Sequence, residues 1–499
     1  NRSYYPSSFA LLSDNVWSKE SNIIGKEYLS SDGINMTFNE DADRKELSDN
    51  NLYANCYQYI LRSNIVISLV DHSTGDKDVK ELAKAEAKIM RAWDHFILVN
   101  TFAKAYNPET AATDGGIAIV SEYDLEATPT KATVAQVYDF IIKDIEDALP
   151  YLQEEPVNVY HPSKAFGYAL AARVYLFHRD WKKAKDAAEE SLKRNNALID
   201  YIALDAVGGP TKVSTYAKGG NPEVLNYAYM GSYSENPSIA YGMISPELVQ
   251  LFGDNDERLN LFFKTTGNLE YYFDEGSGAA LWNTALTYSK FQYMAVGMRT
   301  AEVYLNCAEA KAELGTLTQD DLNKTINKLR ARVNMPNLLM ATANANPDPY
   351  LKEWYPHVES DDNQGIILEI RRERAIELVM EGFRYYDIMR WKEGKIFEKP
   401  FLGIYFPGPG EYDLDGDGTN DVYLYLSTDK GNSSCVDQFE IGGELSLDHE
   451  TSGNLIIHQS IKRVWNEDKD YLYPIPTKDR VLTDGALTQN PGWNDGLIF

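Results

Sequence analysis

The chain has 499 residues, of which 43% are hydrophobic and 25% charged, with a formal net charge of −27. That is the balance of an ordinary soluble globular protein with room for a large core. A surface so acidic repels phosphate backbones and no basic cluster offsets it, which excludes nucleic acid as a partner; no apolar run approaches the roughly twenty residues that span a bilayer.

Residues 1–50 mix short apolar runs with Asp, Asn and Ser and read as irregular. Residues 51–70 (NLYANCYQYILRSNIVISLV) place apolar side chains at helical spacing, and residues 80–104 follow as an amphipathic helix with an alanine-rich face. Residues 133–149 form a third helix, started by Lys131–Thr133 and stopped by Pro150, which cannot continue the backbone ladder. Residues 162–179 and 181–195 read as a helix pair with a tight turn at Asp180. Gly167, Ala171, Ala184 and Ala188 let the pair approach closely, and Tyr168, Tyr175 and Trp181 fill the gaps. That pattern resembles a tetratricopeptide repeat. A second pair runs over Arg299–Leu314 and, after Gly315, over Leu317–Val333.

Between these helices lie residues 200–295, rich in Tyr, Gly, Asn and Ser, and residues 395–470, with Gly/Pro clusters such as Phe406–Gly410 and short alternating strands. Loops this long in a compact chain usually carry function. The expected fold is mainly α and forms one continuous body over residues 1–499. A helical repeat scaffold (about 51–195 and 299–392) packs against a loop-rich half with a few short strands (about 1–50, 200–295 and 395–470).

Chemistry is sparse. There is no GxSxG, HExxH, GxxxxGK[ST] or GxGxxG, and the seven histidines are scattered with none paired at i,i+4. Cys56, Cys307 and Cys435 make neither a disulfide framework nor a metal-ligand pattern, and the first two read as small buried hydrophobes. Glu377 and Glu381 sit one turn apart with Arg384 and Asp387 near, a spacing that a glycosidase-minded reader could take for an acid–base pair. A structural ion-pair network between helices is the favoured reading, so no catalytic residue is assigned and no cofactor is required.

Asp413, Asp415, Asp417, Thr419 and Asp421 alternate as oxygen donors, with Gly418 placed for a sharp turn, as in the first nine positions of a calcium loop. Position twelve is Leu424 rather than glutamate, and Val422–Leu426 alternates like a strand. A calcium-stabilised loop that is not an EF-hand is expected, with a solvated Asp/Gly turn as its alternative.

Two segments carry a family resemblance: Arg371–Leu378 with Glu381–Trp391 (RRERAIEL…EGFRYYDIMRW), and Tyr471–Pro476 (YLYPIP) followed by Leu487–Trp493 (LTQNPGW). Both resemble the signatures of the SusD/RagB family, and Glu86–Trp93, Val137–Asp144 and Ala301–Ala310 match its other repeat helices in the same order. The resemblance implies a SusD-like fold and a non-catalytic glycan-binding protein on the extracellular face of an outer membrane. It further implies delivery of substrate to a SusC-like TonB-dependent transporter, and a lipid anchor outside the given sequence, which starts just upstream of Leu11–Asp14. An oligopeptide-binding RagB-like member and a glycoside hydrolase are the alternatives.

Sugar recognition uses flat aromatic faces and polar side chains. In the resembled family these come from loops that correspond here to residues 28–53 and 265–290. The residues expected at the ligand are Tyr28, Phe38 and Asn39 from the first, and Tyr271, Tyr272, Trp282 and Asn283 from the second. Trp282, in a Gly/Ser-rich stretch, leads that set. The 34 tyrosines fit such a surface, although packing between helices accounts for most of them.

Overall fold

The structure is a computed structural model. It describes residues 12–17, 38, 52–124, 126–202, 222–230, 243–244, 248, 251–253, 255–266, 270–273, 293–379, 381–398, 404–405, 409–412, 418–420, 422–435, 437–440, 454–455 and 465–493.

The first helices are α1 (Leu52–Leu69), α2 (Lys77–Phe102), α3 (Val134–Ala148), α4 (Lys164–Phe177) and α5 (Trp181–Arg194). The starts of α3, α4 and α5 are set by side chains that satisfy the orphan amides of the first turn. Thr133 and Gln136 form a reciprocal capping box on α3, Ser163 accepts from the Phe166 amide at 3.0 Å, and Asp180 accepts from the Lys183 amide at 3.1 Å. In the helix pair, Ala184 and Ala188 are fully buried and the Ser191 hydroxyl donates to the Ala165 carbonyl, so α4 and α5 do pack closely. Gly167 serves a different neighbour. A Cβ there would meet Leu149 and Leu152 in the connection after α3, not α5.

Further along are α6 (Glu257–Phe262), α7 (Thr300–Glu313), α8 (Gln319–Lys324), α9 (Ile326–Ala331), α10 (Met340–Ala345) and α11 (Pro349–Trp354). The expected helix over Leu317–Val333 is broken into α8 and α9. Thr325 leaves the helical region at ψ −96°, and its hydroxyl bonds back to the Asp321 carbonyl at 2.7 Å, a local bond that competes with the helical ladder. Last come α12 (Gln364–Glu377), α13 (Phe383–Trp391) and α14 (Thr477–Leu482). Gly382 separates α12 from α13 in the left-handed region at φ +81°, as its place in the signature leads one to expect.

Helix α7 is the centre of the scaffold. Val303, Cys307 and Ala310 face the larger core, while Ala301, Tyr304, Leu305 and Ala308 face a second core shared with α8, α9, α10, α12 and α13. A helix covered on all sides must find partners for its polar residues, which is why Glu302, Asn306 and Glu309 are buried in ion pairs and hydrogen bonds. The cysteines are free and buried. No described helix is long and apolar enough to cross a membrane.

The strands are few and short. The sheet β1–β5–β7–β6 joins Val16–Trp17, Met243–Ile244, Glu270–Phe273 and Phe263–Thr266, all antiparallel. Strands β4 (Val224–Met230) and β8 (Tyr293–Arg299) pair antiparallel and lead into α7. Smaller pairs are β2 (Gly115–Ala118) with β3 (Lys131–Thr133), and β9 (Ile404–Tyr405) with β13 (Asn454–Leu455). A three-stranded sheet joins β10 (Gly410–Tyr412), β11 (Val422–Tyr425) and β12 (Asp437–Glu440).

Candidate functional site

The carboxylates that could suggest catalysis are committed to buried ion pairs. Arg299, at the end of β8, donates from Nε to both oxygens of Glu381 at 3.0 Å and from Nη1 to Glu377 at 2.8 Å and Glu223 at 3.0 Å. Arg332 pairs with Glu223 and Glu377, and Arg330 with Glu373. Arg258 joins Asp256, Glu373 and Glu377.

The rest of the signature is paired in the same way. Arg374 and Arg390 share Asp387, and Arg390 also grips Glu309; Arg371 and His357 share Glu393. Burial works to raise the Glu373 and Glu309 carboxyls, but Arg258 and Arg330 bring Glu373 down to about 2, and Arg390 does the same for Glu309. Glu381 is pushed up to about 7 by burial, with Arg299 only partly offsetting it. A raised carboxyl is one mark of a general acid, yet Glu381 is 5% exposed and both its oxygens face Arg299. Its geometry is that of a structural clamp between β8 and the α12–α13 junction.

Sequence-selected ligand residues fare unevenly. Phe38 is corrected. It is 1% exposed, with its ring 4.8 Å from Phe397 and 5.1 Å from Trp465, so its faces pack in the core and present nothing to a sugar. Tyr271 and Tyr272 lie on β7, registered against Thr265 and Lys264. That sheet ties β1, upstream of the first candidate loop, to β6 and β7, where the second begins. Tyr28, Asn39, Trp282 and Asn283 lie outside the described residues.

The Asp/Gly segment is the connection of an antiparallel hairpin, since Tyr412 on β10 registers with Val422 on β11. Gly418 has φ +88° and Thr419 is exposed, while Asp413, Asp415, Asp417 and Asp421 lie outside the described residues. Strands on both sides distinguish this loop from the helix-flanked EF-hand.

Two cavities stand out among the described residues, and neither contains a residue selected from the sequence for ligand binding. One, of about 420 Å³, lies between Tyr53 and Tyr57 of α1, the 118–129 segment and Leu482 and Leu487 near the C-terminus. The other, of about 390 Å³, lies where α4, α7 and α13 end. Of the tryptophans of the second cavity, Trp181 reads from sequence only as a packing residue and Trp391 only as the end of the signature helix. Their helical spacing is the same whether a ring faces a neighbour or a cavity.

Comparison with known proteins matches the SusD family model over residues 283–493 and a second model, described as starch-binding associating with outer membrane, over residues 8–176. The chain belongs to the SusD/RagB family. Among its relatives, SusD-like protein P2 of Formosa agariphila is 26% identical over 381 residues, covering 68% of this chain and 70% of the relative. A SusD superfamily protein from Bacteroides vulgatus superposes with a TM-score of 0.65 at 20% identity, covering 98% of this chain and 95% of its own. A laminarin-binding SusD-like protein superposes with a TM-score of 0.62 at 16% identity, covering 98% and 94%. The mainly helical SusD-like fold expected from the sequence is therefore the fold of this SusD/RagB protein.

Proposed function

We propose that this protein captures a glycan at the cell surface and hands it to a SusC-like TonB-dependent transporter, without breaking a bond. The observation that carries the reading is the family match over both halves of the scaffold. The fold it shares with a laminarin-binding SusD-like protein supports a carbohydrate ligand, and the description of the second family model supports association with the outer membrane. A lipid anchor, the extracellular face and the transporter contact belong to the same proposal. So does a calcium ion in the 413–421 hairpin loop.

Mechanism here is affinity. Aromatic faces cover the apolar face of a pyranose while polar side chains take its hydroxyls, and the bound glycan is released inward when the partner barrel opens. Commitment of the signature carboxylates to arginines is consistent with capture rather than hydrolysis. The test is Trp282→Ala, compared with the parent protein by titration with the glycan it binds. Loss of affinity by about tenfold or more, with an unchanged melting temperature, supports the reading. Equal affinity removes Trp282 from the site.

A further inference from the structure

The cavity of about 390 Å³ is built on the helical scaffold, away in sequence from every loop expected to hold ligand. Its walls come from four helix ends and one loop. Leu176, Phe177 and Arg179 close α4, Trp181 opens α5, Glu313 and Gly315 close α7, and Trp391 closes α13. His357 to Asn363 and Arg371 complete it.

Three features set this cavity apart from a packing defect. The first is its chemistry, which alternates donors and acceptors. Arg371 and His357 hold Glu393 at 2.7 and 2.9 Å, and Asn363 stands beside Asp361, whose carboxylate accepts from the Asn363 amide at 2.8 Å. Glu313 lines the cavity with no hydrogen bond or ion pair to any described residue, with the charges of Glu309, Arg371, Arg390 and Arg179 around it. Second, Trp181 is half-buried on the cavity wall and makes no ring contact with another described aromatic or cation, whereas the Trp391 ring already has Arg371 and Arg390 at 4.5 and 4.4 Å. The Trp181 indole packs partly against the main core and lines the cavity with the rest of its surface.

The third feature is backbone strain. Helix α4 ends in a Schellman turn, with the Arg179 amide on the Leu176 carbonyl at 3.2 Å and the Asp180 amide on the Tyr175 carbonyl at 2.9 Å. The left-handed position of that turn, φ +63°, is Arg179, where glycine is the unstrained choice. No carboxylate lies at ion-pair distance from Arg179 among the described residues; its Nη2 reaches only the Arg390 carbonyl, at 3.4 Å. Arg179 is exposed at the rim of the cavity, and a strained backbone that places a guanidinium without a carboxylate partner there is the kind of feature ligand sites keep.

We infer that this cavity is a second saccharide subsite, sized for one or two sugar rings, with Trp181 stacking on a ring and Arg179 and Glu313 taking hydroxyls as donor and acceptor. Alternating donors and acceptors around the Trp181 indole suit a neutral polyol better than an anion or a cation, since neither charge is left in large excess. The inference rests on the glycan reading above but concerns residues that reading does not use.

The experiment titrates the protein with mono- and disaccharides derived from the glycan it binds, in the parent chain and in Arg179→Gly, Trp181→Ala, Glu313→Gln and Trp282→Ala. The subsite predicts a short-sugar affinity that falls about tenfold in each of the first three variants and survives in Trp282→Ala. It also predicts that Arg179→Gly melts no lower than the parent, because glycine relieves the turn. Short-sugar binding untouched by the first three variants overturns the subsite while leaving the glycan reading standing. A lower melting temperature in Arg179→Gly with unchanged binding overturns it too, by making Arg179 a cap for α13. No binding of any glycan, long or short, overturns both.

Discussion

Arg384 on α13 and Asp14 near the N-terminus form a bidentate ion pair, Nε to Oδ1 and Nη2 to Oδ2 both at 2.7 Å, across 370 positions of sequence. Each is 5% exposed, and the Tyr355 hydroxyl accepts a third bond from Arg384 at 3.0 Å. The pair clamps the start of the chain to its signature helix. Breaking one side of a buried pair leaves an uncompensated charge, at a cost of about 3–5 kcal/mol. Asp14→Ala and Arg384→Met each lower stability in urea by that order, and the double variant loses less than their sum. A strictly additive double variant contradicts the clamp.

Helix α12 approaches α10 so closely that Gly365 admits no side chain, because a Cβ would overlap the Ala343 carbonyl. The obstacle is backbone, which cannot rotate away. Gly365→Ala is therefore expected to cost about 3 kcal/mol, read as a lower urea midpoint with the same slope. A midpoint equal to the parent's would mean that the two helices part freely.

Opposite pH dependences are expected from the two kinds of buried carboxyl. Glu373 falls from 4.5 to about 2 in the folded chain, so its stabilisation is full above pH 4.5 and is lost as pH drops toward 2. Glu381 rises from 4.5 to about 7, so the native state holds its proton more tightly and its contribution fades as pH climbs from 4.5 to 7. His95, buried and lowered to about 4, weakens the fold as pH falls below 6.5 and partly masks the Glu381 limb in the parent chain. The difference in melting temperature between Glu381→Gln and the parent isolates it. That difference moves in the variant's favour from pH 4.5 to 7, and a flat difference contradicts the account.

The hairpin loop at 413–421 makes a separable claim. Calorimetric titration of the parent with calcium gives one binding event, and Asp415→Ala and Asp417→Ala each weaken it by about tenfold or more. Binding unchanged in both variants leaves a solvated Asp/Gly turn in place of a calcium loop.

What the sequence made legible was local or periodic. Thr133 as a helix start, Asp180 as a turn, Gly382 as a left-handed break and Val422–Leu426 as a strand all follow from chemistry within a few residues, and all are found, the strand as Val422–Tyr425. The structural reading of Glu377 and Glu381 also held, though their partners Arg299, Arg332 and Arg258 are brought in by tertiary folding that no spacing encodes. Phe38 misled because an aromatic in a polar stretch looks the same whether its ring turns outward or toward Phe397. The break at Thr325 and the strained turn at Arg179 were illegible for a related reason. Neither threonine nor arginine advertises a non-helical backbone, and only the packing around each imposes it.

The central claim, capture without cleavage, is tested most directly by titrating the purified protein with a panel of glycans and analysing the same samples for released sugars. The account predicts saturable binding to one glycan class, with every chain recovered at its original length. Shortened products, or no binding across the panel, would contradict it.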